Sequence, residues 1–176
     1  MQRVLIIATD GFEQSELTEP KRLLEEAGAQ VTVASLKPGE IRGWDQKDWG
    51  TSVAVDCTIG DVSADDYDAL LLPGGQMNPD ILRTERSVID AVLAFDAAEK
   101  PIAAICHAPW LLAEADLIDG RTVTGWPSIR TDLANAGADV VDEEVVVDGN
   151  LITSRKPGDI PAFTEALMAA LDMPEG

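Results

Sequence analysis

Short apolar runs alternate along the chain with segments that carry apolar residues at helical spacing. Four runs are rich in aliphatic and β-branched residues, as is typical of strands buried on both faces of a sheet: residues 3–9, 30–35, 69–72 and 101–105. After the first run, Leu17, Leu24 and Ala27 predict a helix that stops at Gly28. The alternation predicts an α/β fold with a doubly wound, mostly parallel sheet and helices on both faces.

The second half of the chain continues this pattern and includes a small C-terminal hairpin. Residues 144–147 and 151–153 flank Asp148-Gly149-Asn150, a strong signal for a β-turn between two strands. Residues 37–52 have no clean period and are predicted to leave the core. No linker or repeat interrupts the chain, so residues 1–176 form one predicted domain. Two more helices, the first capped by Thr84, are predicted from the apolar sets Val88, Ile89, Val92, Phe95 and Ile160, Phe163, Leu167, Leu171.

The charge of the chain disfavours two classes of partner. Asp and Glu number 32 against 13 Lys and Arg, which gives a net charge of -19. A surface of this sign repels phosphate backbones and anionic lipids, so we expect neither nucleic acid nor membrane as a partner. The acids are spread along the chain, which favours adaptation to a salty cytoplasm where ions screen the self-repulsion.

Targeting and cofactor signals are missing from the sequence. The run from Val4 to Ala8 is too short for a signal peptide, and no stretch reaches the ~18 apolar residues of a membrane helix. Two cysteines without a CxxC motif favour a reducing compartment, and Cys57 is interpreted as structural. We expect a soluble cytoplasmic protein. One histidine and two distant cysteines give no zinc ligand set, and no GxGxxG or P-loop is present, so neither metal nor cofactor is expected.

The candidate chemistry lies in loops that follow strands. Open α/β sheets bind ligands at the carboxyl ends of their strands, and residues 10–16, 73–80 and 106–110 leave such ends. Cys106 has Ala104 two residues before it and Ala108 two residues after it, as the sharp turn of a nucleophile elbow requires. The start of the following helix would lower the pKa of this thiol. The alternative is a buried cysteine that only fills space.

Several polar groups could assist Cys106. His107 is the only histidine and follows the cysteine directly, so any Cys-His pair must use it. Glu13 and Glu16 could hydrogen-bond the sulfur if burial raises the pKa of a carboxyl group, or they are solvated acids at a helix start. The turn at residues 73–75 offers backbone N–H groups to an oxyanion, or is a plain turn. The four tryptophans are interpreted as packing or interface residues.

Taken together, the motifs resemble a known family. The segments LIIATDGFEQSEL, LLLPGG, AAICHAPWLL, TGWPSIRTDLANAGA and EEVVVDGNLITSRKPGD look like the PfpI-type intracellular proteases and general stress proteins, relatives of the Parkinson-associated protein deglycase in the class I glutamine amidotransferase-like superfamily. The resemblance implies a flavodoxin-like fold and a thiolate nucleophile at Cys106 partnered by His107. It implies that Glu16 hydrogen-bonds the nucleophile, with Glu13 beside it, and that the N–H groups of Gly75 and His107 form an oxyanion site.

The resemblance also implies an assembly. In PfpI-type proteases a glutamate shortly after the PGG turn comes from a neighbouring subunit and completes a triad. The best match here is Asp80, which is one methylene shorter and lies in a loop one residue longer. We expect a homo-oligomer, either a dimer or a ring of dimers. Glutamine amidotransferases use a histidine far downstream of the cysteine, and this chain has none, which disfavours amidotransfer.

The leading hypothesis is a cofactor-free stress-response enzyme, a glyoxalase or protein deglycase that acts on methylglyoxal-type carbonyls through Cys106. Two alternatives stay open. One is an intracellular cysteine peptidase, which needs His107 oriented by Asp80 or by a substitute. The other is a non-catalytic redox sensor or chaperone-like stress protein in which Cys106 is oxidised. The sequence does not rank small carbonyls, glycated groups and peptides as substrates.

Overall fold

The computed structural model describes residues 1–174, which form eleven strands and six α-helices. The strands are β1 Arg3–Ile7, β2 Gln30–Ser35, β3 Gly39–Asp45, β4 Asp48–Val55, β5 Cys57–Thr58, β6 Ala69–Leu72, β7 Ile102–Ile105, β8 Thr122–Val123, β9 Asp139–Val140, β10 Val145–Asp148 and β11 Leu151–Ser154. The helices are α1 Gln14–Glu26, α2 Met77–Leu82, α3 Arg86–Ala97, α4 Pro109–Glu114, α5 Arg130–Asn135 and α6 Ile160–Ala170.

Seven of these strands form the central sheet, in the order β10-β11-β7-β6-β1-β2-β5. Neighbouring strands are parallel except for β10 and β11, which form an antiparallel pair. The doubly wound, flavodoxin-like fold and the C-terminal hairpin are therefore confirmed. None of the helices formed by residues 1–174 is both long and apolar enough to span a bilayer.

The sheet separates two apolar cores, because successive side chains of a strand point to opposite faces. In β1, Leu5 and Ile7 pack into the core that includes residues of α3, α4 and α5. Val4 and Ile6 pack into the other core, with residues of α1 and α6. Burial on both faces explains why β1 is an almost continuous apolar run in the sequence rather than an alternating one.

Residues 37–52, which have no clean sequence period, contain most of a two-stranded hairpin rather than an irregular excursion. Strands β3 and β4 pair with a register shift between Arg42 and Trp44, and this irregularity breaks the alternation that would reveal a strand. The hairpin is tied to the loop after β1, since Gly11 N–H donates to the Arg42 carbonyl at 2.9 Å and Trp44 N–H donates to the Phe12 carbonyl at 2.7 Å.

The predicted cap of the third helix is wrong by one residue. The N-cap of α3 is Glu85, whereas the hydroxyl of Thr84 donates to the Ile81 carbonyl at 2.8 Å and so closes the end of α2. The short helix α2 occupies a segment interpreted as a loop in the sequence. A helix of six residues has too few apolar positions to show a helical period, which is why the sequence pattern does not reveal it.

Candidate active site

Three loops meet at the carboxyl edge of the sheet, because the strands before them, β7, β6 and β1, are adjacent and parallel. Cys106 follows β7, the Pro73-Gly74-Gly75 turn follows β6, and residues 8–13 follow β1. This arrangement places the sequence-predicted nucleophile, oxyanion turn and acidic loop at one position in the fold, as expected for an open α/β sheet.

Cys106 occupies a strained turn between β7 and α4. Its φ is +66°, a left-handed conformation that costs on the order of 1 kcal/mol or more for a residue with a side chain. Two backbone contacts hold it there: Cys106 N–H donates to the Ser154 carbonyl at 3.0 Å, and Trp126 N–H donates to the Cys106 carbonyl at 2.8 Å. Strain of this kind, at a strand end, is the geometry of a nucleophile elbow. The cysteine is 4% exposed.

Glu16 projects from the first turn of α1 into this site and is fully buried. Its Oε1 accepts a hydrogen bond from Gly74 N–H at 3.0 Å. Its Oε2 is buried and forms no hydrogen bond with residues 1–174. The carboxyl lies close enough to Cys106 for each group to perturb the pKa of the other. A proton on Oε2 could therefore be donated to the sulfur.

Glu13 contacts Glu16 rather than Cys106. It is the N-cap of α1, where its carboxylate accepts from Glu16 N–H at 2.9 Å and from the Ser15 hydroxyl at 2.5 Å. Its own N–H donates to the Gly74 carbonyl at 3.2 Å. Capping of this kind satisfies a free N–H of the first turn and fixes where the helix begins.

The Gly74-Gly75 turn leaves no room for side chains. A Cβ on Gly74 would lie 2.5 Å from Glu16 Oε1 and 2.7 Å from Cys106 Cβ. Gly75 has a φ of +86°, and a Cβ on it would lie 2.6 Å from the backbone nitrogen of Glu13. Both glycines let the backbone approach the sulfur, and the N–H groups of Gly75 and His107 lie close enough to lower the pKa of the thiol.

Burial dominates the electrostatics of the pair formed by Glu16 and Cys106. Desolvation and then the nearby Glu13 carboxylate raise the pKa of Glu16 well above its ordinary value. Desolvation and then the Glu16 carboxylate raise the pKa of Cys106, against the N–H groups of Gly75 and His107. The sequence predicts that the helix start lowers the pKa of this thiol, and that prediction is wrong. Loss of water on burial raises the pKa by more than the N–H groups of the turn lower it. Two negative charges in this volume repel each other, so protonated Glu16 is the state that best accommodates a thiolate.

His107 contacts the side chain of Cys106 although the two residues are adjacent in sequence. Its Nδ1 lies 3.3 Å from Cys106 Sγ. The residue is 9% exposed, and burial lowers the pKa of its imidazole, which favours the neutral form. The positive φ of Cys106 turns the backbone so that both side chains can face one point, which neighbours in a regular strand or helix do not do.

Asp80 does not join this cluster within the chain. It lies in the first turn of α2, not in a loop, and its side chain is exposed. Its side chain forms no hydrogen bond or ion pair with residues 1–174. Its expected contact with His107 of a second copy requires an oligomer and stays a prediction.

Asn78 is a site residue that sequence reasoning missed. Its side chain is fully buried. The carboxamide accepts from Thr9 N–H at 2.8 Å and donates to the carbonyls of Pro73 and Gly74 at 2.9 and 3.1 Å. It thus joins the end of β1 to the PGG turn. An asparagine three residues after a glycine turn is the only sequence signal, and nothing local shows its partners.

A second missed feature is the pair of Arg155 and Asp159 in the SRKPGD segment. The Arg155 guanidinium contacts both carboxylate oxygens of Asp159, at 2.9 and 3.0 Å, and Asp159 is buried. The negative charge of Asp159 adds to the raised pKa of Glu16. Arg155 and Arg130 also share Asp142, at 3.0 and 2.9 Å. A network of charged side chains therefore extends from Arg130 at the surface to Asp159, which is close enough to Glu16 to affect its pKa.

The chemistry available at the site is that of a thiol with two proton-carrying neighbours. In the described part of the chain, no three His, Cys, Asp or Glu side chains group as metal ligands. Cys57 and Cys106 are both free thiols. The sulfur can add to an electrophilic carbon while His107 and Glu16 accept or donate protons and the N–H groups of the glycine turn face the developing oxygen charge.

Known proteins match this chain over almost its full length. The model of the DJ-1/PfpI family matches residues 2–170. General stress protein 18 of Bacillus subtilis (strain 168) is 46% identical over 173 residues, 97% of this chain and 98% of that protein. A deglycase of Pyrococcus abyssi (strain GE5 / Orsay) is 42% identical over 169 residues, 96% of this chain and 99% of that protein. The crystal structure of DJ-1beta from Drosophila melanogaster matches with a TM-score of 0.86 at 33% identity, over 96% of this chain and 90% of that chain. The chain belongs to the DJ-1/PfpI family.

Proposed function

We propose that this protein is a cofactor-free enzyme that converts α-oxoaldehydes such as methylglyoxal to α-hydroxy acids through Cys106. The observation that carries the proposal is the proximity of two proton-carrying groups to the sulfur. Nδ1 of His107 lies 3.3 Å from it, and the buried carboxyl of Glu16, whose pKa is raised by burial, lies close enough to interact with it. An internal redox reaction of an oxoaldehyde needs proton transfers and no external electron carrier.

The reaction begins with addition of sulfur to the aldehyde carbon. As the C–S bond forms, the thiol proton passes through His107 to the aldehyde oxygen, which gives a hemithioacetal. This relay avoids a free thiolate, which burial disfavours. The protonated carboxyl of Glu16 donates to the sulfur whenever it carries negative charge, and the N–H groups of Gly75 and His107 stabilise charge on the oxygen.

Proton shifts within the adduct then complete the conversion. His107 removes the proton from the former aldehyde carbon while the neighbouring ketone oxygen gains one, which gives an enediol. Protonation of the neighbouring carbon and loss of the first hydroxyl proton give a thioester of lactate. Water cleaves the thioester, and lactate and the Cys106 thiol are released. The net reaction adds one water to methylglyoxal, so atoms and electrons balance. A hemiaminal formed by a glycated amine would reach the same hemithioacetal when sulfur replaces the amine: the C–S bond forms, the C–N bond breaks, and the amine leaves with the thiol proton.

The burial of the nucleophile favours small carbonyls over folded polypeptides. The sulfur belongs to a residue that is 4% exposed, so a two- or three-carbon aldehyde reaches it more easily than a peptide backbone does. A peptidase must also protonate an amine leaving group, which requires an oriented histidine. Within residues 1–174 no carboxylate contacts His107. Oxoaldehyde conversion has no amine to expel.

Cysteine peptidase activity is the second candidate, and the contact between Cys106 and His107 favours it. The two activities differ in what they need from the assembly. A peptidase that uses Asp80 of a second copy would lose activity on dilution to monomers and in Asp80→Asn. Oxoaldehyde conversion, which uses groups of one chain, would keep its rate per subunit.

The experiment is conversion of methylglyoxal to lactate, followed by proton NMR at high salt without added thiol. We expect multiple turnovers by the native chain, none by Cys106→Ala, and rates lowered by at least about 100-fold in His107→Ala, the lower end of the range for a general acid-base group. Peptide cleavage without lactate would favour the peptidase. Stoichiometric oxidation of Cys106 with neither activity would favour the redox sensor.

A further inference from the structure

The imidazole of His107 is enclosed by two indole rings. The ring of Trp126 stacks on it, with centroids 5.7 Å apart and planes inclined by 22°. The ring of Trp110 meets it edge-on, with centroids 5.3 Å apart and planes inclined by 63°. Both separations lie in the range of attractive aromatic pairs. We call Trp110 and Trp126 the aromatic clamp.

Trp110 is itself held in position. Its Nε1–H donates to Asp132 Oδ2 at 2.9 Å. The Arg83 guanidinium lies over its ring, 5.4 Å from the centroid, and is in turn paired with Glu114 at 3.0 Å. A polar anchor on the edge and a cation on the face leave this indole little freedom to rotate.

Trp126 is held by the backbone of the elbow. Its N–H donates to the Cys106 carbonyl at 2.8 Å, and its own carbonyl accepts from Ile129 N–H at 3.0 Å. Its side chain is half-buried and packs against both apolar cores. The orientation of the stacked indole is therefore coupled to the residue that carries the nucleophile.

The clamp surrounds a histidine that has one polar partner in the described chain. The only hydrogen-bonding contact of the His107 ring with residues 1–174 is the one between Nδ1 and Cys106 Sγ. In a Cys-His or Ser-His triad, a third group, usually a carboxylate, orients the ring and stabilises the imidazolium that forms. No residue between 1 and 174 places a carboxylate on either ring nitrogen of His107.

We propose that Trp110 and Trp126 position His107, and so perform within one chain the orienting task that a carboxylate has in a triad. Packing on the face and on the edge fixes the plane of the imidazole and keeps Nδ1 directed at Cys106 Sγ. The stacked face of Trp126 also stabilises the positive charge that the ring acquires during proton transfer, since a cation within roughly 6 Å of an indole centroid is attracted to it. The clamp residues are positioning residues and need not touch the substrate.

The chain offers a direct spectroscopic test, because His107 is its only histidine. In protein freed of any purification tag, long-range proton-nitrogen NMR at a pH where the ring is neutral reports one imidazole. A held ring with Nδ1 on the sulfur gives two well-separated nitrogen signals of a single tautomer. A ring that has lost this contact exchanges between its two neutral tautomers, and its two nitrogen signals then move toward each other. The measurement uses no substrate, so it can fail or succeed independently of the proposed function, on which only the turnover readout rests.

The variants are Trp126→Ala, Trp126→Phe and Asp132→Ala. We expect the nitrogen signals to converge in Trp126→Ala and kcat to fall about 10- to 100-fold with KM changed less than about 3-fold, the scale of a misplaced catalytic group. Trp126→Phe retains an aromatic face. Its nitrogen signals should therefore stay separated, and its kcat should lie within about 3-fold of the native value. Asp132→Ala removes the carboxylate that accepts the hydrogen bond from Trp110. Because this carboxylate is exposed, its loss should not prevent folding, so the variant tests the clamp even if Trp126→Ala fails to fold.

Trp49→Ala is the matched control. Trp49 also forms an edge-on aromatic pair, with Trp44 at 5.4 Å, but it lies on the β3–β4 hairpin and is 40% exposed. Its loss should change neither the signals nor kcat. The clamp is wrong if Trp126→Ala and Asp132→Ala both keep separated signals and native kcat. It is also wrong if Asp80→Asn makes the signals converge while Trp126→Ala does not, because a carboxylate from a second copy then orients the ring.

Discussion

Glu16 Oε1 accepts a hydrogen bond from the backbone N–H of Gly74 at 3.0 Å, across 58 residues of sequence. This contact joins the first turn of α1 to the turn after β6 and sets the buried carboxyl beside Cys106. The acid and the glycine turn therefore act as one unit. A change in either should alter both the stability of the fold and the chemistry of the sulfur.

The raised pKa of Glu16 predicts that this residue lowers stability at neutral pH. The unfolded carboxyl ionises near its ordinary value of 4.5, whereas the folded one retains its proton to higher pH. Above 4.5 the folded state therefore binds more protons than the unfolded state, and the free energy of unfolding falls as pH rises toward the folded pKa. A tenfold change in the acid dissociation constant between the two states corresponds to about 1.4 kcal/mol.

Glu16→Gln removes this proton linkage and keeps an acceptor for Gly74 N–H. We expect the variant to be more stable than the native chain at pH 7 by at least about 1 kcal/mol, with a smaller difference at pH 4. Urea denaturation at both pH values, with Cys106 kept reduced, measures it. A stability difference that is independent of pH would show that Glu16 is ionised in the folded protein.

Gly74→Ala should damage the fold and the site together. The added Cβ would meet Glu16 Oε1 at 2.5 Å and the Ile105 carbonyl at 2.7 Å, so backbone must move. Overpacking of this kind costs roughly 1–3 kcal/mol, and the displaced turn should abolish Cys106-dependent turnover. Gly158→Ala is the control, because a Cβ there meets nothing within 4 Å. Thermal unfolding of both variants checks the difference, and equal melting temperatures would contradict the packing argument.

Asn78→Ala should loosen the glycine turn. The substitution leaves Thr9 N–H and the carbonyls of Pro73 and Gly74 without their buried partner, at about 1–3 kcal/mol for each group left unpaired. We expect a large loss of stability and slower alkylation of Cys106 by iodoacetamide, because Gly75 N–H no longer stays near the sulfur. Asn78→Asp, which retains the acceptor for Thr9 and loses the donors, should be intermediate. Native alkylation rates in a folded Asn78→Ala would argue against this role.

The net charge of -19 predicts that salt stabilises the fold. Screening shortens the range of repulsion from about 10 Å at 0.1 M salt to about 3 Å at 1 M. The surface ion pairs on α1, such as Arg22 with Glu26 at 2.6 Å, weaken in salt but contribute little. We expect the melting temperature to rise with KCl, most steeply at low concentration. Sucrose at matched osmolality should not reproduce that early rise, and an equal rise in sucrose would exclude charge screening as its cause.

The sequence predicted the parts of the fold whose signals are local. Strand β2 spans residues 30–35 and β6 spans 69–72, as expected from their apolar runs. The elbow was predictable because its small neighbours, Ala104 and Ala108, lie within two residues of Cys106. Asn78 was not, because its partner Thr9 is 69 residues away. The orientation of Trp126 against His107 likewise depends on tertiary contacts that no short motif records.

The direction of the Cys106 pKa shift also depends on tertiary contacts that the local sequence does not show. A helix start is visible in the sequence and predicts a lower thiol pKa. The depth of burial and the approach of Glu16 are products of the whole fold, and they raise it. Local sequence therefore identifies Cys106 as the candidate nucleophile, but the direction of its pKa shift follows from residues far away in the chain.

The role of Cys106 is tested most directly by the number of lactate molecules formed per subunit from methylglyoxal, compared between the native chain and Cys106→Ala. We predict many lactates per native subunit without an added cofactor, and none above background in the variant. Equal lactate formation by Cys106→Ala would contradict the assignment of the nucleophile. Formation of no lactate by a folded, reduced native chain would contradict the proposed reaction.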